Sequence, residues 1–177
     1  VYTFECRMAK SWRRGQAFLG GDAAHTMPPY LGQGACSGIR DAANLVWKLN
    51  LVLRGVGSAD ILDSYELERR PHVANIMQSA VMLGKVANTH SRAVAFIRDL
   101  AFRFNLVPSP PPFPAFTGGV IQNDRSGEAG KVVGSVPPQG QVSVGGRTGR
   151  LDEHVGNRFA LMGGSNSGAG PHSHTFS

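Results

Sequence analysis

"LGGDAAHTMPPYLGQGACSGIRDAANLVWKL", residues 19–49, crowds paired glycines, an Asp, a His, paired prolines and a Gly-Gln-Gly into one short turn-rich segment, then runs into a long amphipathic pattern. From Ala35 onward apolar residues recur at Ile39, Ala42, Val46, Leu49 and Leu53, while Arg40, Asp41, Asn44 and Lys48 take the other side. That spacing predicts a helix of about five turns, with Asp41 and Lys48 on its solvent side or in contact with neighbouring segments. The helix should stop near Arg54, because Gly55 suits the left-handed residue just past a helix end. Just upstream, "QAFLGG" (16–21) reads as a short buried strand, which delivers Asp22 at its C-terminal end. Open α/β sheets hold their ligands at that edge.

The segment between strand and helix has a definite chemistry. An Asp carboxylate accepts hydrogen bonds in pairs and suits a sugar or polyol hydroxyl. Pro28-Pro29 stiffens the crossing, and Gly32 and Gly34 let the backbone approach a ligand without Cβ interference. The helix then directs its free N–H groups, and roughly half a unit of positive charge, at whatever lies there. The guest is a group that is, or becomes, anionic. A phosphate qualifies, although the Gly-Lys-Ser/Thr ending of a P-loop and a GxGxxG after a strand are both missing. A delocalised anion such as a reduced flavin qualifies equally, and these residues alone do not choose.

Outward from this segment, "YTFECRM" (2–8) alternates Tyr2, Phe4, Cys6 and Met8 with polar residues, the period of a strand with one buried face. "KSWRR" (10–14) sets a Trp among basic residues, read as a solvated turn between strands rather than a stacking platform for nucleic acid. Ser58 or Asp60 caps the next helix, "ILDSYELERR", where Glu66, Glu68, Arg69 and Arg70 form surface or interdomain pairs. Pro71 kinks or interrupts that helix before "HVANIMQSAVMLGKVAN" continues it, and "SRAVAFIRDLAFRF" is a third. "VPSPPPFPAF" (107–116) is a linker or an extended surface crossing. Beyond it "QVSVGG" and "NRFALMGG" have strand character with "LDEHVG" between them, and the terminal Gly/Ser-rich stretch is low in complexity and expected to be disordered.

Composition narrows the classes. Across 177 residues the chain carries a formal charge of +6, which raises nucleic acid or an anionic ligand as partners, but no nucleic-acid signature accompanies it. The two cysteines, Cys6 and Cys36, suggest no disulfide framework, so a reducing cytosol is expected. No apolar run approaches the roughly 18 residues that cross a bilayer, and no membrane is expected as a partner. His172 and His174 form an HxH without a supporting ligand cluster, so no metal is assigned.

"GQAFLGGDAAHTMPPYLGQGACSGIRDAANLVWKL" (15–49) resembles the second flavin-binding motif of the single-component FAD-dependent aromatic hydroxylases. The likeness rests on the Gly-Asp pair, Ala-Ala-His, Pro-Pro, the Gly-x-Gly before the helix and Asp-x-x-Asn-Leu-x-Trp-Lys-Leu along it. "YELERRP" (65–71) is similar to the segment that follows in these enzymes, and the nearest likeness is to phenol and 3-(3-hydroxyphenyl)propionate hydroxylases. "VPPQGQVSVGGRTGRLDEHVGNRFALMG" resembles the opening of the thioredoxin-like domain of the phenol hydroxylase branch.

The resemblance implies an α/β fold, here an α+β fragment. Residues 1–106 would be the C-terminal part of a Rossmann-like FAD-binding domain, 107–130 a linker, 131–163 the start of the thioredoxin-like region and 164–177 a tail. By position, Asp22 would hold the ribityl chain of FAD with Gly21 also in the cofactor site, and Gly32, Gln33, Gly34, Ala35 and Cys36 would face the pyrimidine edge of the flavin. Pro29 would line the reaction cavity through its carbonyl. NAD(P)H would reduce FAD, and O2 would supply the oxygen inserted into a phenolic ring in the full-length parent, the fragment alone being expected to be inactive; the alternatives are a non-catalytic fragment or interaction module, or another FAD enzyme of the same fold such as an epoxidase. No catalytic residue is assigned. His25 is read as a structural hydrogen-bonding residue and Cys36 as a small residue beside the cofactor. The family's GxGxxG and its middle motif are missing, which marks the chain as a C-terminal fragment whose partners include its N-terminal part; a homodimer is left open.

Overall fold

A computed structural model describes residues 3–106, 114–121, 133–136, 139–156 and 158–160. It divides into two compact units, 1–135 and 136–177. The expectations for Tyr2, the prolines of 107–113, the end of "NRFALMGG", the His172–His174 pair and the tail fall outside the described residues.

The first unit mixes short strands with long helices. β1 (Arg7–Met8) pairs antiparallel with β4 (His25–Thr26), and β2 (Arg13–Arg14) forms a hairpin with β3 (Ala17–Phe18). Gly15 at the bend has φ of +61°, a conformation that favours glycine. Strand pairing is shorter than the alternation of residues 2–8 predicts, and Phe4 and Cys6 are exposed rather than turned into a core. Only two residues of β1 are paired, and ahead of them Phe4 meets the Tyr30 ring edge-on, with centroids 6.2 Å apart.

α1 (Gly34–Leu53) and α2 (Ser64–Ala87) make the body of this unit, and α3 (Arg92–Arg103) follows. α2 enters through a 3-10 turn over Ala59–Asp63, for which Ser58 is the cap, its side chain accepting from the Asp60 N–H. Pro71 does not interrupt α2, because a proline in the early turns forfeits one hydrogen bond while tertiary packing holds the rest. Arg98 of α3 donates to the Val86 and Ala87 carbonyls and so satisfies the open end of α2.

Trp12, Ala24, Tyr65, Val73 and Met77 form the buried core, flanked by Met8, Phe18, Met27 and Leu45. Trp12 is fully buried against His25 and Tyr65, with ring centroids 5.3 and 5.8 Å away, so it offers no face for a nucleobase. Its basic neighbour Arg13 is tied to Asp63 and lies over the Phe18 ring. The Tyr65 hydroxyl donates to the Leu19 carbonyl, and burial, reinforced by the charge of Asp41, pushes its pKa up so that it stays a donor.

Residues 114–121 lie against α2 without regular structure and bend at 118–121. Phe116 stacks near His72 and Arg69, and the Val120 N–H donates to Glu68 at 2.8 Å. In the second unit β5 (Gln141–Val144) pairs with β6 (Arg147–Arg150) across Gly145-Gly146, whose φ values of +58° and +80° suit the mirror-image turns of tight hairpins. The second strand is therefore 147–150; residues 158–160, expected to open a strand, are irregular. "LDEHV" is a short helix, α4 (Leu151–Val155), where the Glu153 carboxylate accepts from the Arg150 N–H.

Candidate functional site

Gly20 leads from β3 into a 3-10 turn over Gly21–Ala23, which carries Asp22. A second such turn, Pro29–Leu31, ends at Gly32 with φ of +61°. Asp22, Thr26, Met27, Pro28, Pro29, Gly32, Gly34 and Ala35 line one cleft of about 310 Å³. Asp22 thus shares a cleft with the start of α1, standing on a 3-10 turn after the strand and not on the strand itself. Gln33 is the residue before α1 and Cys36 lies in its first turn, half-buried. Gly21, with φ of +58°, sits behind Asp22, its Cα against Gly38 of α1. A larger groove of about 430 Å³, lined by Cys6, Met8, Met77, Val81 and Lys85 among others, is almost wholly apolar and has few convergent polar groups.

Three features of the smaller cleft suit a ligand. A Cβ built on Gly32 or Gly34 meets no protein atom within 4 Å, so packing within the chain does not require glycine at Gly34, whose backbone torsion is also ordinary. No side chain caps the N-terminus of α1; the Gln33 amide oxygen instead accepts from Arg40 at 3.1 Å. The first N–H groups of a long helix are thereby left to an outside acceptor. Thr26, absent from the sequence expectation, has a buried hydroxyl with no partner among the described residues.

Behind the cleft lies a polar cluster in which Asp41 and Lys48 contact neighbouring segments rather than solvent, the second of the two expectations for them. Asp41 is 1% exposed and Lys48 fully buried, while Ile39, Val46 and Leu53 are 69%, 61% and 84% exposed. The helix faces inward with its polar side. Asp41 accepts from the Gly21 N–H at 3.0 Å and from Arg69 Nε at 2.8 Å, and meets His25 Nε2 at 2.7 Å. Burial raises the Asp41 pKa, but the hydrogen bonds from His25, Gly21 and Arg69 outweigh it and hold the carboxyl below its usual range. Lys48 Nζ bonds Glu68 at 2.6 Å and Asn44 at 2.8 Å, and its pKa falls because burial outweighs the pull of Glu68.

Glu68 and Arg69 are accordingly buried, not on the surface, whereas Glu66 and Arg70 do form a part-exposed pair at 3.0 Å. Arg69 also bonds His72 Nδ1 at 3.0 Å and the Ser37 carbonyl at 3.4 Å. Burial, then the nearby guanidinium of Arg69, lowers the His72 pKa to about 4, so the ring is neutral at pH 7. Among the described residues no group of His, Cys, Asp and Glu side chains is placed to hold a metal, and no helix is long and apolar enough to cross a membrane.

Residues 1–80 match the family model described as FAD binding domain. The chain is 42% identical over 165 residues to the probable NADH-specific resorcinol 4-hydroxylase of Rhodococcus jostii (strain RHA1), covering 91% of this chain and 29% of that protein. It is 38% identical over 173 residues to the 3-(3-hydroxy-phenyl)propionate/3-hydroxycinnamic acid hydroxylase of Mycobacterium avium (strain 104), covering 92% and 30%. Among solved structures, aklavinone-11 hydroxylase in a ternary complex with FAD and aklavinone shares the fold, with a TM-score of 0.60 at 24% identity over 86% of this chain and 29% of that one. The chain spans about 30% of the length of the curated relatives it matches.

Proposed function

We propose that the cleft is one wall of a flavin site, because residues 1–80 match the family model described as FAD binding domain and nine tenths of the chain is similar to a resorcinol 4-hydroxylase and a 3-(3-hydroxy-phenyl)propionate hydroxylase. Asp22 holds the polyol chain of FAD. The N–H groups at Gly34, Ala35 and Cys36 meet the pyrimidine edge of the ring. The observation that carries this reading is the convergence of Asp22, Pro29, Gly32, Gly34 and Ala35 on one cleft with open space above both glycines. Its volume of about 310 Å³ is at the small end of ligand pockets, which suits a ring and its attached chain rather than a whole dinucleotide.

When bound, FAD supplies the redox and oxygen chemistry, with NAD(P)H as donor and O2 as oxidant. This chain's residues position and polarise. The helix end stabilises negative charge on the flavin edge with dipoles already in place, so no reorganisation is needed as charge develops. The Pro29 carbonyl faces the reacting side, and Pro28-Pro29 keeps that wall stiff. The substrate is a phenol, and the names of the two relatives, a resorcinol and a 3-hydroxyphenyl acid, both describe a ring with a meta substituent. The site of action is a reducing compartment, in keeping with the free thiols of Cys6 and Cys36. The outward apolar residues Ile39, Val46 and Leu53 belong to the same reading: they are the face of α1 on which the remainder of a longer flavoenzyme rests.

Titration with FAD, followed by quenching of flavin fluorescence, tests this site. Asp22→Ala and Gly34→Val should each weaken binding about tenfold or more, the first by losing a charge-assisted hydrogen bond and the second by placing a branched side chain in the cleft. Wild-type affinity in both variants would remove the site from this cleft.

A further inference from the structure

Two walls of the cleft come from different elements, and one buried anion touches both. Asp41 Oδ2 accepts from the backbone N–H of Gly21, the residue before Asp22, and meets His25, the residue before Thr26. Its Oδ1 accepts from Arg69 Nε, and Arg69 Nη2 reaches the Ser37 carbonyl in the first turns of α1. Gly21 and Gly38 let turn and helix meet closely: a Cβ on Gly38 would lie 3.3 Å from the Gly21 Cα. Asp41, Arg69 and His25 are all at most 2% exposed, so water does not compete for these bonds.

We propose that Asp41 is the positioning residue of the cleft: through Gly21, His25 and Arg69 it sets the separation and orientation of the Asp22 turn relative to the N-terminus of α1. The proposal rests on the flavin reading for its consequence, but its geometry does not need flavin. A positioning role goes beyond stability, because a shift of about 1 Å at a binding wall is felt by the ligand even when the fold survives.

Asp41→Asn separates these. The amide has the volume of the carboxylate, yet one oxygen becomes an N–H2 donor, which must then face either the Gly21 N–H with His25 or the Arg69 Nε–H. The control is Lys48→Met, an equally buried ionic residue of the same helix that touches neither wall. Amide exchange read by NMR on the flavin-free protein, below the melting temperature of each variant, should show the Gly21 N–H or the Arg69 Nε–H exchanging at least tenfold faster in Asp41→Asn. Relative to neighbouring amides, both should keep their protection in Lys48→Met. FAD affinity at that temperature should fall about tenfold in Asp41→Asn and stay within twofold in Lys48→Met. Arg69→Lys keeps a charge opposite Asp41 but not the reach to Ser37; it should weaken FAD about threefold and carries the test if Asp41→Asn does not fold.

Unchanged protection of both groups in Asp41→Asn, or equal loss of FAD affinity in Lys48→Met, overturns the proposal. If wild-type protein takes up no FAD, the flavin reading fails while the exchange measurement still decides whether Asp41 holds the two walls.

Discussion

His72 lies beside a permanent cation, 7% exposed, with its Nδ1 accepting from Arg69. Its pKa of about 4, against an ordinary value of 6.5, fixes the sign of a pH effect. Between those values an unfolded chain binds a proton that the folded chain refuses, so stability falls as pH drops from 6.5 towards 4 and is insensitive to this group above 7. The size is of the order of 3 kcal/mol. Thermal unfolding followed by circular dichroism from pH 7 to 4 should show this loss, and His72→Gln should flatten the curve in that window. Asp41 acts lower: its depressed pKa contributes stability that is lost only as pH falls below the ordinary carboxylate range. Glu68→Leu isolates the other cluster, since it strands Lys48 as a buried cation; a loss of about 3–5 kcal/mol in chemical denaturation is expected, and a loss below 1 kcal/mol would mean water reaches Lys48.

At the scale of elements, the contact of α2 with the Pro29–Leu31 turn depends on a missing side chain. A Cβ on Gly84 would stand 2.3 Å from the Tyr30 ring, whose hydroxyl is bonded by Asn88 one turn on. Gly84→Ala gains about 1 kcal/mol of helix propensity but overpacks this contact, at a cost of about 1–3 kcal/mol. Net destabilisation in a urea melt is the expected result, with Tyr30→Ala in the same chain recovering the propensity gain. Net stabilisation by Gly84→Ala alone would show that Tyr30 can move aside. Element types were largely readable from periodicity: α1, α2 and α3 fall where the pattern puts them, since a long repeat at 3.6 residues leaves few alternatives. Which face of α1 points inward was not. Ser37, Asp41, Asn44 and Lys48 repeat with the same period as Ile39, Ala42, Val46 and Leu49, and periodicity alone gives two equally regular stripes. Their partners His25, Glu68 and Arg69 are 16, 20 and 28 residues away, a separation that no local pattern encodes.

For the whole molecule, the cleft residues were readable because their constraints are local: paired prolines, glycines at a helix start and an Asp after a strand act within a few bonds of one another. The buried Thr26 hydroxyl and the buried Asp41 carboxylate were not readable, because burial is set by distant residues. The buried charges of the first unit balance in neighbouring pairs, Asp41 with Arg69 and Lys48 with Glu68, and so keep a polar interior at tolerable cost behind a cleft that stays open to a ligand. The exposed apolar stripe of α1 and the 30% span of the relatives belong together at this scale. On the flavin reading proposed above, both fit a single wall of the site, so FAD affinity in this chain alone should be weak. An amide chemical-shift titration with FAD up to millimolar concentration detects weak binding residue by residue and tests the central claim most directly. Shifts centred on Asp22, Thr26 and Gly32 through Cys36 are predicted; no shifts there, or shifts centred on the Met8–Met77 groove instead, would contradict it.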